Sequence, residues 1–254
     1  APPHSLLAIA APVIKAGYNV KLLDQRTQII TEDVIRDLIS SDLICVGIST
    51  MTGTQILYAL GLSNMIRKLT GGRIPIVWGG PHPSIMPEQT LVDDNVDIVV
   101  IGEGDETFVE LVRCLERKEN LRGIGGTIYK DGTEQIRTEE RPLLNVETLL
   151  PIPWELLDIE KYIHRDMYLR KNSRVMDIGQ TSRGCPFNCG FCSSAAIRKR
   201  RWRAISVEKS LSTICETVRR FKLDGIWLRD DEFYVNRKRA DQICRGIIDQ
   251  NLDI

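Results

Sequence analysis

Leu43-Ile44-Cys45-Val46-Gly47-Ile48-Ser49 is a continuous apolar run that stops at the polar Thr50. It reads as a strand buried on both faces, the kind found in parallel sheets covered by helices. Upstream, Leu6 to Ala16 has the spacing of an amphipathic helix closed by Gly17. Asn19 to Leu23 reads as a short strand ending at Asp24, and Thr31 can cap a helix reaching about Ser40. Downstream come a helix from Thr54 to Leu69, a strand Ile74 to Trp78, a short helix near Glu88 to Val92, a strand Asp97 to Ile101 and a helix Glu106 to Arg117. This alternation predicts an α/β fold with a doubly wound parallel sheet.

The chain has 254 residues, enough for two ordinary domains, and its apolar fraction of 43% can fill their cores. With 34 basic and 34 acidic residues the formal charge is zero, which argues against nucleic acid or an anionic membrane as partner. No apolar run approaches the roughly 20 residues of a membrane span. Seven cysteines, an odd number with scattered spacings outside one cluster, suit a reducing compartment, so a cytoplasmic location is expected. The chain opens on Ala1-Pro2-Pro3 and closes soon after a helical pattern. The expectation is a fragment, inactive by itself.

In doubly wound sheets ligands gather beyond the carboxyl ends of the strands. Those ends carry Ser49-Thr50-Met51-Thr52, Gly79-Gly80-Pro81-His82 and Gly102-Glu103-Gly104, three loops expected to meet on one edge. Neither GxGxxG after a strand nor GxxxxGK[ST] is present, which disfavours dinucleotides and nucleoside triphosphates.

Further along, Gly125 to Lys130 and Glu134 to Thr138 alternate about Asp131-Gly132, a hairpin signal. Pro151 and Pro153 forbid a helix start before Trp154, so residues 119–172 read as hairpin and connector. Val175 to Ser182 then reads as a strand leading into Cys185-Pro186-Phe187-Asn188-Cys189-Gly190-Phe191-Cys192. CxxxCxxC is too tight for three thiols on one regular element, and Gly184, Pro186 and Gly190 let the backbone curl around a shared ligand. An iron-sulfur cluster suits such a cup; a structural zinc would need a fourth ligand that is not visible nearby. Ser206 caps a helix Val207 to Phe221, Gly225 to Arg229 forms a strand ending at Asp230-Asp231, and a helix covers about Arg237 to Gln250. That order opens an α/β barrel. Cys45, Cys114, Cys215 and Cys244 are expected on apolar faces, as packing. The basic stretch Arg198 to Arg203 holds a single Trp202 and reads as a solvated loop or a contact to cofactor phosphate.

Residues 1–118 resemble the cobalamin-binding domain that precedes many radical S-adenosylmethionine (SAM) enzymes, through Pro2-Pro3, Ala16-Gly17-Tyr18-Asn19-Val20, Val46-Gly47-Ile48-Ser49, Trp78-Gly79-Gly80-Pro81-His82-Pro83 and Ile101-Gly102-Glu103-Gly104-Asp105-Glu106-Thr107. The family's opening strand is absent. Residues 173–254 resemble the start of a radical SAM domain, with its CxxxCxφC pattern and Phe191 as the aromatic. The family includes class B radical SAM methylases and anaerobic magnesium-protoporphyrin IX monomethyl ester cyclases.

The resemblance implies cobalamin along Ser49, Thr50, Gly79, Gly80, His82, Gly102, Glu103 and Gly104, and a 4Fe-4S cluster on Cys185, Cys189 and Cys192. It further implies SAM beside Phe191, Asp230 and Asp231, although an acidic pair there also suits a turn. Other corrinoid proteins supply a cobalt ligand from DxHxxG; here Pro2-Pro3-His4-Ser5-Leu6-Leu7 lacks both Asp and Gly, which disfavours His4. The implied activity is methyl transfer to an unactivated centre or oxidative cyclisation of a small molecule, a tetrapyrrole or secondary metabolite, with flavodoxin or ferredoxin as electron donor. The rival is a non-catalytic corrinoid carrier or sensor whose cysteine loop is structural.

Overall fold

A computed structural model describes residues 1–165 and 174–254; the end of the expected connector, 166–172, and residue 173 lie outside the described residues. The chain divides into two compact units, Ser5–Leu143 and Ala1–His4 together with Leu144–Ile254.

In the first unit the helices α1 (His4–Lys15, in this unit from Ser5 on) and α2 (Glu32–Leu38) precede β1 (Val46–Ser49), α3 (Thr54–Thr70), β2 (Ile76–Gly79), α4 (Pro81–Ile85), α5 (Pro87–Leu91), β3 (Ile98–Val100) and α6 (Gly104–Arg117). The hairpin β4 (Thr127–Asp131) and β5 (Glu134–Arg137) follows. The sheet runs β1-β2-β3-β4-β5, with β1, β2 and β3 parallel and the hairpin antiparallel. The alternation of side chains along β2 decides its two faces. Ile76 and Trp78 pack with Ala59 and Ile66 of α3, while Val77 packs with Leu111 and Cys114 of α6. Trp78 is fully buried, and its indole N–H donates to Ser63 Oγ at 3.0 Å, so the ring's burial, worth about 2–3 kcal/mol, leaves no orphan donor. Asp97 fixes the opposite end of the strands: Oδ2 accepts from Ile76 N at 2.7 Å and Oδ1 from Arg67 Nη2 at 2.7 Å.

Three expectations are corrected here. Asn19–Leu23 is not a strand, because no other strand pairs with it among the described residues and extended backbone needs a ladder partner. The hairpin extends the sheet, and its register, Asp131 opposite Glu134, puts the turn at Gly132-Thr133, one residue later than the Asp-Gly pair suggests. Cys244 is exposed: its helix buries Arg239, Ala240 and Ile243, and the next position turns away by about 100°. Cys114 and Cys215 are buried as expected, and burial pushes the Cys45 thiol up to about 12, leaving it inert.

The second unit holds β6 (Val175–Gly179), β7 (Ser182–Arg183), α7 (Ser194–Arg198), β8 (Arg203–Ala204), α8 (Val207–Phe221), β9 (Gly225–Leu228) and α9 (Arg237–Asp249). β6 pairs parallel with β9 across α8, the opening of an α/β barrel, while β7 and β8 form a small antiparallel pair beyond it. Ser206 Oγ accepts from Lys209 N at 3.3 Å to cap α8, and Asn236 Oδ1 accepts from Arg239 N at 3.0 Å to cap α9. A carboxylate lies inside β6. Asp177 accepts from His4 Nε2 at 2.8 Å, from Gly179 N at 3.0 Å and from Arg229 Nε. Burial pushes its acidity down, yet His4, Arg229 and the amide outweigh that and hold the carboxyl below its ordinary value.

Candidate active site: a glycine-lined sheet edge and a cysteine loop

In the first unit the three expected loops do meet at the carboxyl edge of the sheet. Ser49 pairs with Gly79 in the β1–β2 register, Thr50 N donates to Gly79 O at 3.0 Å, and His82 N donates to Thr50 O at 3.2 Å. Ser84, which no sequence signal marked, joins the other two: its Oγ donates to Gly80 O at 2.7 Å and accepts from Gly102 N at 2.9 Å. Gly79 closes β2, Glu103 precedes α6, and Gly104 begins it. Position 80 admits only glycine, since its φ is +96° and a Cβ there would lie 2.9 Å from both Ser49 Oγ and Thr50 O.

Two side chains at this edge bear on a ligand. Thr50 is 1% exposed and its Oγ1 has no hydrogen-bond partner among the described residues, an orphan that a buried hydroxyl normally avoids. His82 Nδ1 sits 3.2 Å from Thr52 Oγ1, so one ring nitrogen is engaged. A glycine cradle beside an unpaired buried hydroxyl fits a flat, polar-rimmed cofactor such as a corrinoid. His4 belongs to the other unit, bound to Asp177.

In the second unit Cys185, Cys189 and Cys192 are free thiols on the loop between β7 and α7; Cys189 and Cys192 are exposed, and Phe191 is 94% exposed. Cys192 N donates to Cys189 O at 3.0 Å, which closes a turn between the second and third thiols. Among the described residues no three His, Cys, Asp or Glu side chains converge to hold a metal ion. The fit therefore rests on donor chemistry: three unpaired thiols on an exposed loop, free to rotate about χ1, are soft ligands for iron-sulfur or zinc.

The loop's root is bonded to distant parts of the chain. Asp230 spends both oxygens there: Oδ2 accepts from Thr181 N at 3.0 Å, and Oδ1 from Thr181 Oγ1 at 2.9 Å and from Ser182 Oγ. The buried Arg239 of α9 donates to Thr181 O at 2.7 Å, Ile205 O at 2.9 Å and Ser210 Oγ at 3.1 Å. Its role was not legible in sequence, since an arginine at the start of a helix carries no such signal. Asp231 reaches Gly184 N and Ser194 Oγ. Part of the basic stretch is structural: Arg203 Nη1 donates to Leu144 O at 2.6 Å.

The chain is similar to several known proteins. Residues 1–112 match the family model described as B12 binding domain. Over 251 residues the chain is 34% identical to an uncharacterized methyltransferase of Pyrococcus horikoshii, covering 98% of this chain and 53% of the relative. Over 257 residues it is 28% identical to the anaerobic magnesium-protoporphyrin IX monomethyl ester cyclase of Synechocystis, covering 100% of this chain and 50% of that protein. The chain spans about half the length of the curated relatives it matches. The fold is shared with a solved radical S-adenosylmethionine methyltransferase, TsrM of Kitasatospora setae, whose structure contains cobalamin and a [4Fe-4S] cluster; the TM-score is 0.74 at 18% identity, covering 98% of this chain and 48% of the other. Residues 1–112 thus match a B12-binding domain, and along nearly its whole length the chain is similar to an uncharacterized methyltransferase and to an anaerobic magnesium-protoporphyrin IX monomethyl ester cyclase.

Proposed function

We propose that this chain carries the cofactor sites of a cobalamin-dependent radical SAM enzyme, with a cobalamin-binding domain over 1–118, a hairpin and connector over 119–172 and the opening of the radical SAM domain over 173–254. The observation that carries the reading is that one unit holds a glycine-cradled sheet edge and the other a CxxxCxxC loop bonded at Gly184 to Asp231, just past the parallel strand β9. When bound, a 4Fe-4S cluster, SAM and cobalamin supply reductive cleavage of SAM and methyl or radical transfer to substrate. Cys185, Cys189 and Cys192 would hold three irons and leave the fourth open to SAM, with Phe191 and Asp231 alongside. Ser49, Thr50, Gly79, Gly80, His82, Gly102, Glu103 and Gly104 would line the corrinoid. The relatives' names favour methylation or cyclisation of a small molecule, with a tetrapyrrole among the candidate substrates, and an external flavodoxin or ferredoxin would deliver the electron.

Anaerobic reconstitution with iron, sulfide, hydroxocobalamin and SAM tests this. Iron-sulfur and corrinoid absorption, with 5′-deoxyadenosine formed by the full-length protein, is the expected result. An intact cluster and bound corrinoid without SAM cleavage would turn the reading toward a carrier or sensor. A cluster that never forms would overturn it.

A further inference from the structure

The cysteine loop is fastened at both ends by one atom. Asp231 Oδ2 accepts from Gly184 N at 3.0 Å and from Ser194 Oγ at 3.4 Å. Gly184 immediately precedes Cys185, and Ser194 stands two residues after Cys192. A third constraint meets them. Gly184 has φ +85°, and a Cβ there would lie 2.2 Å from Arg201 O, so the chain leaving α7 is pressed against the chain entering the loop. The support behind Asp231 is rigid, because its neighbour Asp230 holds Thr181 and Ser182, and Arg239 holds Thr181 from the other side.

We propose that Asp231 is a positioning residue that sets the separation of the first and third thiols and places a negative charge at the root of the metal-binding loop. The thiols themselves are carried by a segment with one internal turn, so the loop's ends are where its span is decided. One carboxylate oxygen joining entry and exit closes the loop more tightly than two independent anchors, since a single rigid group removes the freedom between them. The charge also opposes adding an electron to a cluster held there. This inference rests on the cluster reading for its redox part only; the positioning part concerns the loop itself.

The experiment compares wild type with Asp231→Asn, Asp231→Ala and Ser194→Ala. In the metal-free protein, iodoacetamide labelling of each cysteine is followed by mass spectrometry, with the exposed Cys244 as internal reference. Loss of a clamp worth about 1 kcal/mol raises Cys185 labelling about fivefold in Asp231→Ala, and less in Asp231→Asn, which keeps one acceptor. After reconstitution, Asp231→Ala holds less iron at limiting supply. Asp231→Asn keeps its iron but is reduced about tenfold more readily at a fixed potential, about 59 mV for one electron. Unchanged labelling ratios and an unchanged midpoint overturn the proposal, as does a lower melting temperature with both readouts unmoved. If labelling changes while wild type takes up no cluster, the positioning role stands and the radical SAM reading falls.

Discussion

The sheet edge of the first unit and the cysteine loop of the second build sites in opposite ways. The edge is shaped by what is missing: Gly80 has no Cβ, Thr50 Oγ1 has no partner among the described residues, and backbone bonds among Thr50, Gly79 and His82, with Ser84 Oγ bridging Gly80 O and Gly102 N, hold the walls in place. The loop is shaped by what is present: three thiols along it and two aspartates with Arg239 at its root. A large flat ligand needs concavity that backbone can supply in advance. A metal needs donors, which can close around it when it arrives.

The contrast can be broken by substitution. Replacing Cys189 or Cys192 with Ala is expected to bring reconstituted iron to background without moving the melting temperature of the metal-free chain, because both side chains are exposed; iron analysis and a thermal scan check both. Gly184→Ala should act in the reverse sense, destabilising the second unit by about 3 kcal/mol through overlap with Arg201 O and a strained φ, read in urea unfolding. Gly80→Ala should remove about 2 kcal/mol and weaken hydroxocobalamin binding at least about tenfold, by fluorescence quenching, while leaving iron uptake intact.

A smaller effect tests the strand beneath the loop. Asp177→Asn should lower stability by about 1.5 kcal/mol at neutral pH, a figure kept modest because Arg229 is partly solvated. The native carboxyl is held below its ordinary value of 3.8, so wild type's advantage is present above that value and disappears as pH falls through the depressed native one. Urea titrations of both proteins at pH 7 and pH 3 should show the gap closing; a constant gap would sink the assignment. The smallest change has the opposite sign. Thr50→Val should stabilise the ligand-free protein by under about 1 kcal/mol, by removing an unpaired buried hydroxyl, yet weaken corrinoid binding.

Much of this was legible. Helices with caps were placed within a residue or two, since Thr31 and Ser206 act on amides only three residues on. Asn19–Leu23 failed as a strand because pairing is supplied by another segment. The three loops and the three cysteines were found from residue type and spacing. Ser84, Ser194 and Arg239 were not, since a serine or arginine gains its role only from partners far away in the chain.

By itself the sequence determined the parallel α/β class, through buried apolar runs alternating with helices, and the soft-metal donor set, through CxxxCxxC; both are local, one a matter of hydrophobic period and the other of chemical identity. Only the tertiary structure decided that Asp231 grips both ends of the cysteine loop, that Asp230 is spent on Thr181 and Ser182, and that Thr50 keeps an unsatisfied hydroxyl. Those depend on which atoms come within about 3 Å across 37 to 49 residues of chain, a matter of packing that spacing alone does not encode.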